Sequence, residues 1–226
     1  MVIRMTIDWV FLDVGGIIFS DDSYFTGLFE AIARVEPATT RAAFDEQLRA
    51  LRAAQTEPFT TALLDALVSD PARHAGIRAD ADASWADRGH HADELYPEVL
   101  ETLSVLAGRY RIGCITNHFS WVRGRAEEAG FADLVGAWAI SAEVGAEKPD
   151  AALFRSLLRD AGASADRVAM VGDRLDRDMA PAKALGMRTI WVLRNEAPDD
   201  PTPEQLAVPD ATVRALDEVP PVLERF

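Results

Sequence analysis

Four short segments of this chain carry residue types suited to chemistry. The first, Asp13-Val14-Gly15-Gly16, directly follows the apolar run Trp9-Val10-Phe11-Leu12. A carboxylate is thereby delivered from a buried strand onto a turn that glycine permits, which is how a nucleophile is presented. Strand-end carboxylates in open α/β sheets sit at the carboxyl edge, where the ligand crevice opens and turn N–H groups can meet an anion. Thr116-Asn117, Lys148-Pro149 and Gly172-Asp173 with Asp178 follow in that order, standing after later apolar runs. Lys148 is notable because the 23 basic residues include only two lysines, Lys148 and Lys183. Lysine offers a compact point charge that fits beside a carboxylate and a phosphoryl group, where a forked guanidinium is bulkier.

The elements that must position these residues are legible as alternating patterns. Apolar runs predict strands at 8–13, 111–116, 135–140, 168–172 and 188–193, with a last short one at Ala211-Thr212-Val213. Helical patterns separate them. Pro97 opens a helix holding Leu100, Leu103 and Leu106, Phe154 and Leu157 mark one after Asp150, and Ala182 with Leu185 mark one closed by Gly186. The fold class this predicts is α/β, a Rossmann-like three-layer core with a parallel sheet covered by helices.

About a hundred residues between the first two strands are too many for a simple crossover. They predict an inserted helical cap, with core residues 1–18 and 96–226 and cap residues 19–95. Phe25, Leu28, Phe29 and Ile32 share one helical face, as do Phe44, Leu48 and Leu51, while Leu63, Leu64, Leu67 and Val68 form a third stripe. The stretch from His74 to His91 is poorly periodic, and the Pro- and Asp-rich stretch from Asn195 to Pro209 reads as a surface loop.

A formal net charge of −14 repels nucleic-acid backbones and anionic membranes, so neither is an expected partner. The single cysteine, Cys114, reads as a buried structural thiol. No apolar run reaches 18 residues and no targeting segment stands out, which predicts a soluble, cytoplasmic protein. No heptads or long apolar edge strand distinguish a monomer from a homodimer.

Taken together, the four segments and Leu95-Tyr96-Pro97 before the return helix resemble the haloacid dehalogenase-like (HAD) superfamily, in the subfamily with a helical cap inserted after the first strand. The resemblance covers residues 8 to about 194; the cap matches only in length and helical character. It implies a Mg²⁺-dependent phosphatase acting on a small phosphorylated metabolite. Asp13 would be both nucleophile and metal ligand, Asp173 and the backbone carbonyl of Gly15 would complete the metal site, and Asp178 would orient it or a metal-bound water. Lys148 would neutralise Asp13 and the transferring group, while Thr116 and the Asn117 amide would hold a phosphoryl oxygen. Gly16 and His118 would lie against the substrate. The chemistry agrees, because a carboxylate can attack a dianionic phosphate only if something cancels the repulsion, and magnesium suits hard oxygen ligands.

One position departs from the family pattern. Phosphatases of this family usually carry a second Asp two residues after the nucleophile, as general acid and base; here that residue is Gly15. Such a group is commonly worth about 10²–10⁴-fold in rate. A leaving group that needs little protonation, a replacement acid, or a different reaction would each explain the loss. The candidate replacements are Asp21, Asp22 and His118, with Asp22 or Ser23 also read as the N-cap of the first cap helix. His90-His91 reads as a surface pair and the tryptophans as packing residues. A 2-haloacid dehalogenase using an aspartyl ester, or a silent descendant that binds a phosphometabolite or a partner, are the alternative functions.

Overall fold

The computed structural model describes residues 6–55, 58–91 and 94–226. Strand β1 (Trp9–Leu12) is buried along its whole length and lies at the centre of a six-stranded parallel sheet of order β3-β2-β1-β4-β5-β6. The others are β2 (Arg111–Thr116), β3 (Val135–Ile140), β4 (Val168–Gly172), β5 (Arg188–Val192) and β6 (Ala211–Val213). All six coincide with the predicted apolar runs to within a residue or two. Continuous apolar strands are what a sheet covered on both faces requires, because side chains alternate between two buried layers.

That alternation is visible in β1 itself. Val10 and Leu12 join a cluster with Leu103 and Leu106 of α5 (Val99–Ala107), Val122 and Ala126 of α6 (Val122–Glu128), and Val222 of α11 (Val219–Leu223). Trp9 and Phe11 face the other way, onto Leu153, Phe154 and Leu157 of α8 (Ala151–Ala161) and Ala182 of α9 (Ala180–Ala184). Cys114 is buried in the first layer, as read from its apolar surroundings. Leu100, by contrast, is 45% exposed; Val99 and Thr102 share the buried face of α5 with Leu103 and Leu106.

Helices α1 (Asp22–Val35), α2 (Arg41–Ala54), α3 (Phe59–Leu67) and α4 (His74–Arg88) fill the insertion around a separate cluster that includes Phe25, Leu28, Phe44, Leu48, Leu63 and Ile77. Helix α4 occupies most of the stretch 74–91 that reads as poorly periodic. Its apolar stripe is thin, with only Ile77 and Ala81 buried, but it is rich in alanine, the strongest intrinsic helix former. The chain leaves and re-enters the core side by side, with the Ser20 N–H donating to Glu94 O at 2.9 Å and the Tyr96 N–H to Ile18 O at 3.2 Å. Gln55, at the end of α2, ties the cap to the core. Its Oε1 accepts from the Leu175 N–H at 2.9 Å and its Nε2 donates to Glu196 O at 2.6 Å.

The short helices α7 (Ser141–Val144) and α10 (Pro203–Leu206) complete the chain. The latter lies in the predicted surface loop, begun by a capping box between Thr202 and Gln205. No helix among the described residues is long and apolar enough to cross a membrane.

Candidate active site

The sheet order reverses at β1, which pairs with β2 on one side and β4 on the other. Crevices open at such switch points, outside the carboxyl ends of the strands. Asp13 follows β1 and Asp173 follows β4, so strand register alone brings both acids to this edge; the Asp13 N–H donates to Val171 O at 3.0 Å. A cavity of about 990 Å³ lies there, walled on the core side by Asp13, Gly15, Thr116, Asn117, His118, Lys148 and Asp173 and on the cap side by Tyr24, Phe59, Arg78 and Trp85.

Asp13 is buried and fixed at both oxygens. Oδ1 accepts from the Val14 N–H at 2.7 Å and Oδ2 lies 2.6 Å from Lys148 Nζ. The same ammonium reaches Asp178 Oδ1 at 2.8 Å. Asp178 is fully buried on a π-helical turn, Leu175–Met179, and its Oδ2 accepts from the Arg174 N–H at 3.1 Å. Asp173 Oδ2 accepts from Asn195 Nδ2 at 3.0 Å and the Glu196 N–H at 2.9 Å, and Trp191 Nε1 holds its backbone carbonyl at 2.8 Å. Gly16 has φ +72°, and a Cβ there would overlap the Asp173 carboxylate, so glycine is required for two reasons.

The Lys148 loop is held by Asn117, whose Oδ1 accepts from the Lys148 N–H at 2.6 Å and whose Nδ2 donates to Lys148 O at 2.9 Å. The Asn117 side chain is thus a brace for the lysine, which leaves its backbone N–H as the group able to meet a substrate oxygen. The Lys148-Pro149 bond is cis, and Asp150 caps α8 through the Ala152 N–H at 2.8 Å. Thr116 ends β2 and lines the cavity.

Ligand atoms of Asp13, Asp173 and Asp178 lie within 4.8 Å of one another. The three buried carboxylates lie round one ammonium, which Asp13 and Asp178 share. Burial pushes Asp13 up to about 7 against the pull of Lys148, and pushes Asp173 well above the usual carboxylate range, helped by Glu196 and Asp13. Burial would lower Lys148, but the charges of Asp13 and Asp178 hold it above its ordinary value.

A second polar group joins the site from the cap hinge. Asp21, not Asp22 or Ser23, occupies the N-cap position of α1, yet its side chain makes no capping bond. It turns inward, with Oδ2 accepting from Asn195 Nδ2 at 2.9 Å and Oδ1 lying 3.0 Å from His90 Nε2. Burial, with Glu196 nearby, pushes its carboxyl up to about 7. His90 is not a surface residue: it is fully buried, stacked on Phe19 with ring centroids 4.7 Å apart. Its Nδ1 lies 3.2 Å from His118 Nε2, and His118 Nδ1 lies 3.1 Å from Phe119 O. Trp85 and Trp121 flank His118, with centroids at 4.2 and 4.3 Å.

Burial pulls both imidazoles down, His90 to about 3 and His118 well below its usual value, where the His90 charge adds to the effect. Hydrogen-bond directions then follow from one carbonyl. Phe119 O can only accept, so His118 carries its proton on Nδ1, its Nε2 accepts, and His90 donates from Nδ1. The remaining contact, His90 Nε2 to Asp21 Oδ1, must hold one proton.

A base held below its unfolded pKa contributes stability that is present above the unfolded value, near 6.5, and is lost on acidification towards the folded value, near 3 for His90. Over that window each such imidazole steepens the loss by about 1.4 kcal/mol per pH unit. Urea unfolding at pH 6.5, 5.5 and 4.5 should therefore give a shallower decline for His90→Asn than for the natural chain. Parallel declines would show that His90 is not held neutral.

His90, Asn195 and Glu196 were thus added to the site by the structure, which also separates Asp21 from the other candidate acids. The chain is a hydrolase by family: it belongs to the haloacid dehalogenase-like hydrolases, whose sequence model matches residues 7–186. It is 29% identical to the pyrimidine 5'-nucleotidase YjjG of Escherichia coli over 233 residues, 96% of this chain and 97% of that protein. To the phosphoserine phosphatase of Thermus thermophilus it is 36% identical over 141 residues, 62% of this chain and 54% of that one, so the match spans about half of that relative. Its fold is similar to that of the HAD-hydrolase YfnB from Bacillus subtilis, solved bound to magnesium, with a TM-score of 0.74 at 18% identity over 96% of this chain and 99% of that one.

Proposed function

We propose that this chain is a magnesium-dependent phosphatase that hydrolyses a small phosphorylated metabolite through an aspartyl-phosphate on Asp13. The observation that carries the reading is the placement of Asp13, pinned to Lys148 at 2.6 Å beside two further buried carboxylates. In this reading an Asp13 oxygen bonds to phosphorus as the bond to the leaving oxygen breaks. Water then attacks the same phosphorus, freeing inorganic phosphate and the Asp13 carboxylate. Lys148 and the Thr116 hydroxyl receive the phosphoryl oxygens, and cap side chains above the cavity select the rest of the molecule. The names of the nucleotidase and phosphoserine phosphatase relatives point towards phosphate monoesters.

The donor set suits Mg²⁺, since Asp13, Asp173 and Asp178 offer hard oxygens and carry more negative charge than one ammonium offsets. Bound there, the ion would supply charge cancellation between the nucleophile and a dianionic phosphoryl group.

Mg²⁺ should raise the unfolding temperature of the natural chain, by about 2.7 kcal/mol of stability at a hundred times its Kd. Asp173→Asn should lose most of that gain, and equal stabilisation of both proteins would contradict the donor set. A panel of small phosphate monoesters assayed with Mg²⁺ and with EDTA tests the activity. Metal-dependent phosphate release is the expected result; release of halide from 2-chloropropionate without phosphate release would favour a dehalogenase instead.

A further inference from the structure

We propose that Asp21 is the general acid and base of this site, supplying from the cap hinge the carboxylate that residue 15 lacks. The proposal rests on the phosphatase reading above and goes beyond it by naming the group that moves the proton.

A Cβ built on Gly15 would lie 2.7 Å from both carboxylate oxygens of Asp21 and 3.1 Å from its Cγ. In an aspartate the oxygens sit two bonds from Cβ, about 2.4 Å away by standard bond lengths. Asp21 therefore places its oxygens close to the shell that a carboxylate at residue 15 would occupy, reaching it from the opposite side. A side chain at residue 15 would displace the Asp21 carboxylate from this position. The Asp21 side chain is 14% exposed and lines the same cavity as Asp13, Thr116 and Lys148.

Asn195 Nδ2 bridges Asp21 Oδ2 and Asp173 Oδ2 at 2.9 and 3.0 Å, which fixes the hinge carboxylate against the acidic cluster. The chain of bonds from Phe119 O through His118 and His90 leaves one proton in the contact between His90 and Asp21. His90 is locked by its stacking on Phe19 and by its own N–H on Glu94 Oε2 at 2.5 Å. Asp21 is thus a carboxyl group with a proton at hand, free of helix capping, in the wall of the site.

The steps balance. As the ester P–O bond breaks, its electron pair goes to the leaving oxygen, which takes the proton from Asp21 and departs as an alcohol. Asp21, now a carboxylate, takes a proton from the water whose oxygen attacks phosphorus; the bond from phosphorus to Asp13 breaks and inorganic phosphate leaves.

The test compares Asp21→Asn with the natural chain, both with Mg²⁺, on p-nitrophenyl phosphate and on the alkyl monoester turned over fastest in the panel. An alkoxide needs protonation to leave and p-nitrophenolate does not. Asp21→Asn should lose about 10²–10⁴-fold in kcat/KM on the alkyl ester. On p-nitrophenyl phosphate it should keep a burst of p-nitrophenol equal to the enzyme present, followed by slow turnover while phosphorylated protein accumulates in intact-mass spectra. A Gly15→Asp change added to Asp21→Ala should recover at least about tenfold of the alkyl activity, as a returned acid would. Equal losses on both esters with no burst, or alkyl turnover within about threefold of the natural chain, would overturn the proposal. So would a natural chain that hydrolyses p-nitrophenyl phosphate but no alkyl ester, with the phosphatase reading left standing. A natural chain that hydrolyses neither would overturn that reading first.

Discussion

Asp13→Asn should lower kcat/KM on any monoester substrate by about 10⁴–10⁶-fold, the range that losing a catalytic nucleophile or its partners costs. The substitution is nearly isosteric. Its remaining oxygen can still accept from the Val14 N–H, now met at 2.7 Å, and Lys148 keeps Asp178 at 2.8 Å, so the loop geometry has reason to persist. What disappears is the oxygen that bonds to phosphorus in the proposed mechanism, and an amide cannot replace it. Steady-state assays on the purified variant, with a melting curve to show that it is folded, measure the effect. Retention of more than about one per cent of the activity in a folded variant would mean that another group makes the attack.

Lys148→Met should cost about 3–5 kcal/mol of folding stability, because removing one partner of a buried ion pair leaves charge without compensation. The Lys148 side chain is 1% exposed and is held between Asp13 and Asp178, whose side chains are 11% and 0% exposed. Water cannot take over the role of the ammonium, and the thioether fills the space without a donor. Activity should fall as well, since in the proposed mechanism the same ammonium faces the transferring group. Lys148→Arg should not rescue activity: a planar fork cannot occupy a site shaped for a point charge lying 2.6 and 2.8 Å from two carboxylates on different loops. Urea unfolding in the presence of EDTA isolates the stability effect from metal binding. A loss under about 1 kcal/mol would show that the two carboxylates are solvated or neutral rather than compensated by Lys148.

The sheet and the motif acids were legible because their signals are local. Each strand is a short apolar run, β1, β2 and β4 lead into Asp13, Thr116 and Gly172-Asp173, and parallel register then carries Asp13 and Asp173 to the same edge without further information. The helical cap was legible from the faces of α1, α2 and α3, and from the length of the insertion. Helix α4 was not, because its burial is limited to two residues and alanine carries it.

The polar residues of the hinge were hidden for a different reason. His90 stands in the polar run Arg88-Gly89-His90-His91, and only tertiary packing against Phe19, Trp85 and His118 buries it. Asn195 and Glu196 open a Pro- and Asp-rich stretch that reads as surface, yet they meet Asp173 and Asp21 across the crevice. Asp21 was one of three candidate acids in the sequence. Separating it from Asp22 took knowledge of which carboxylate begins α1 without capping it. The missing side chain at Gly15 was the one local signal that a partner had to be sought elsewhere.

The central claim is that Asp13 becomes covalently phosphorylated during turnover. Rapid acid quenching of the natural chain with Mg²⁺ and a monoester that it hydrolyses, followed by peptide mass mapping, tests this directly. The expected result is a phosphoryl group on the peptide containing Asp13, absent from Asp13→Asn. Steady hydrolysis with no phosphorylated peptide at the shortest quench times, or a phosphoryl group on another residue, would contradict the account.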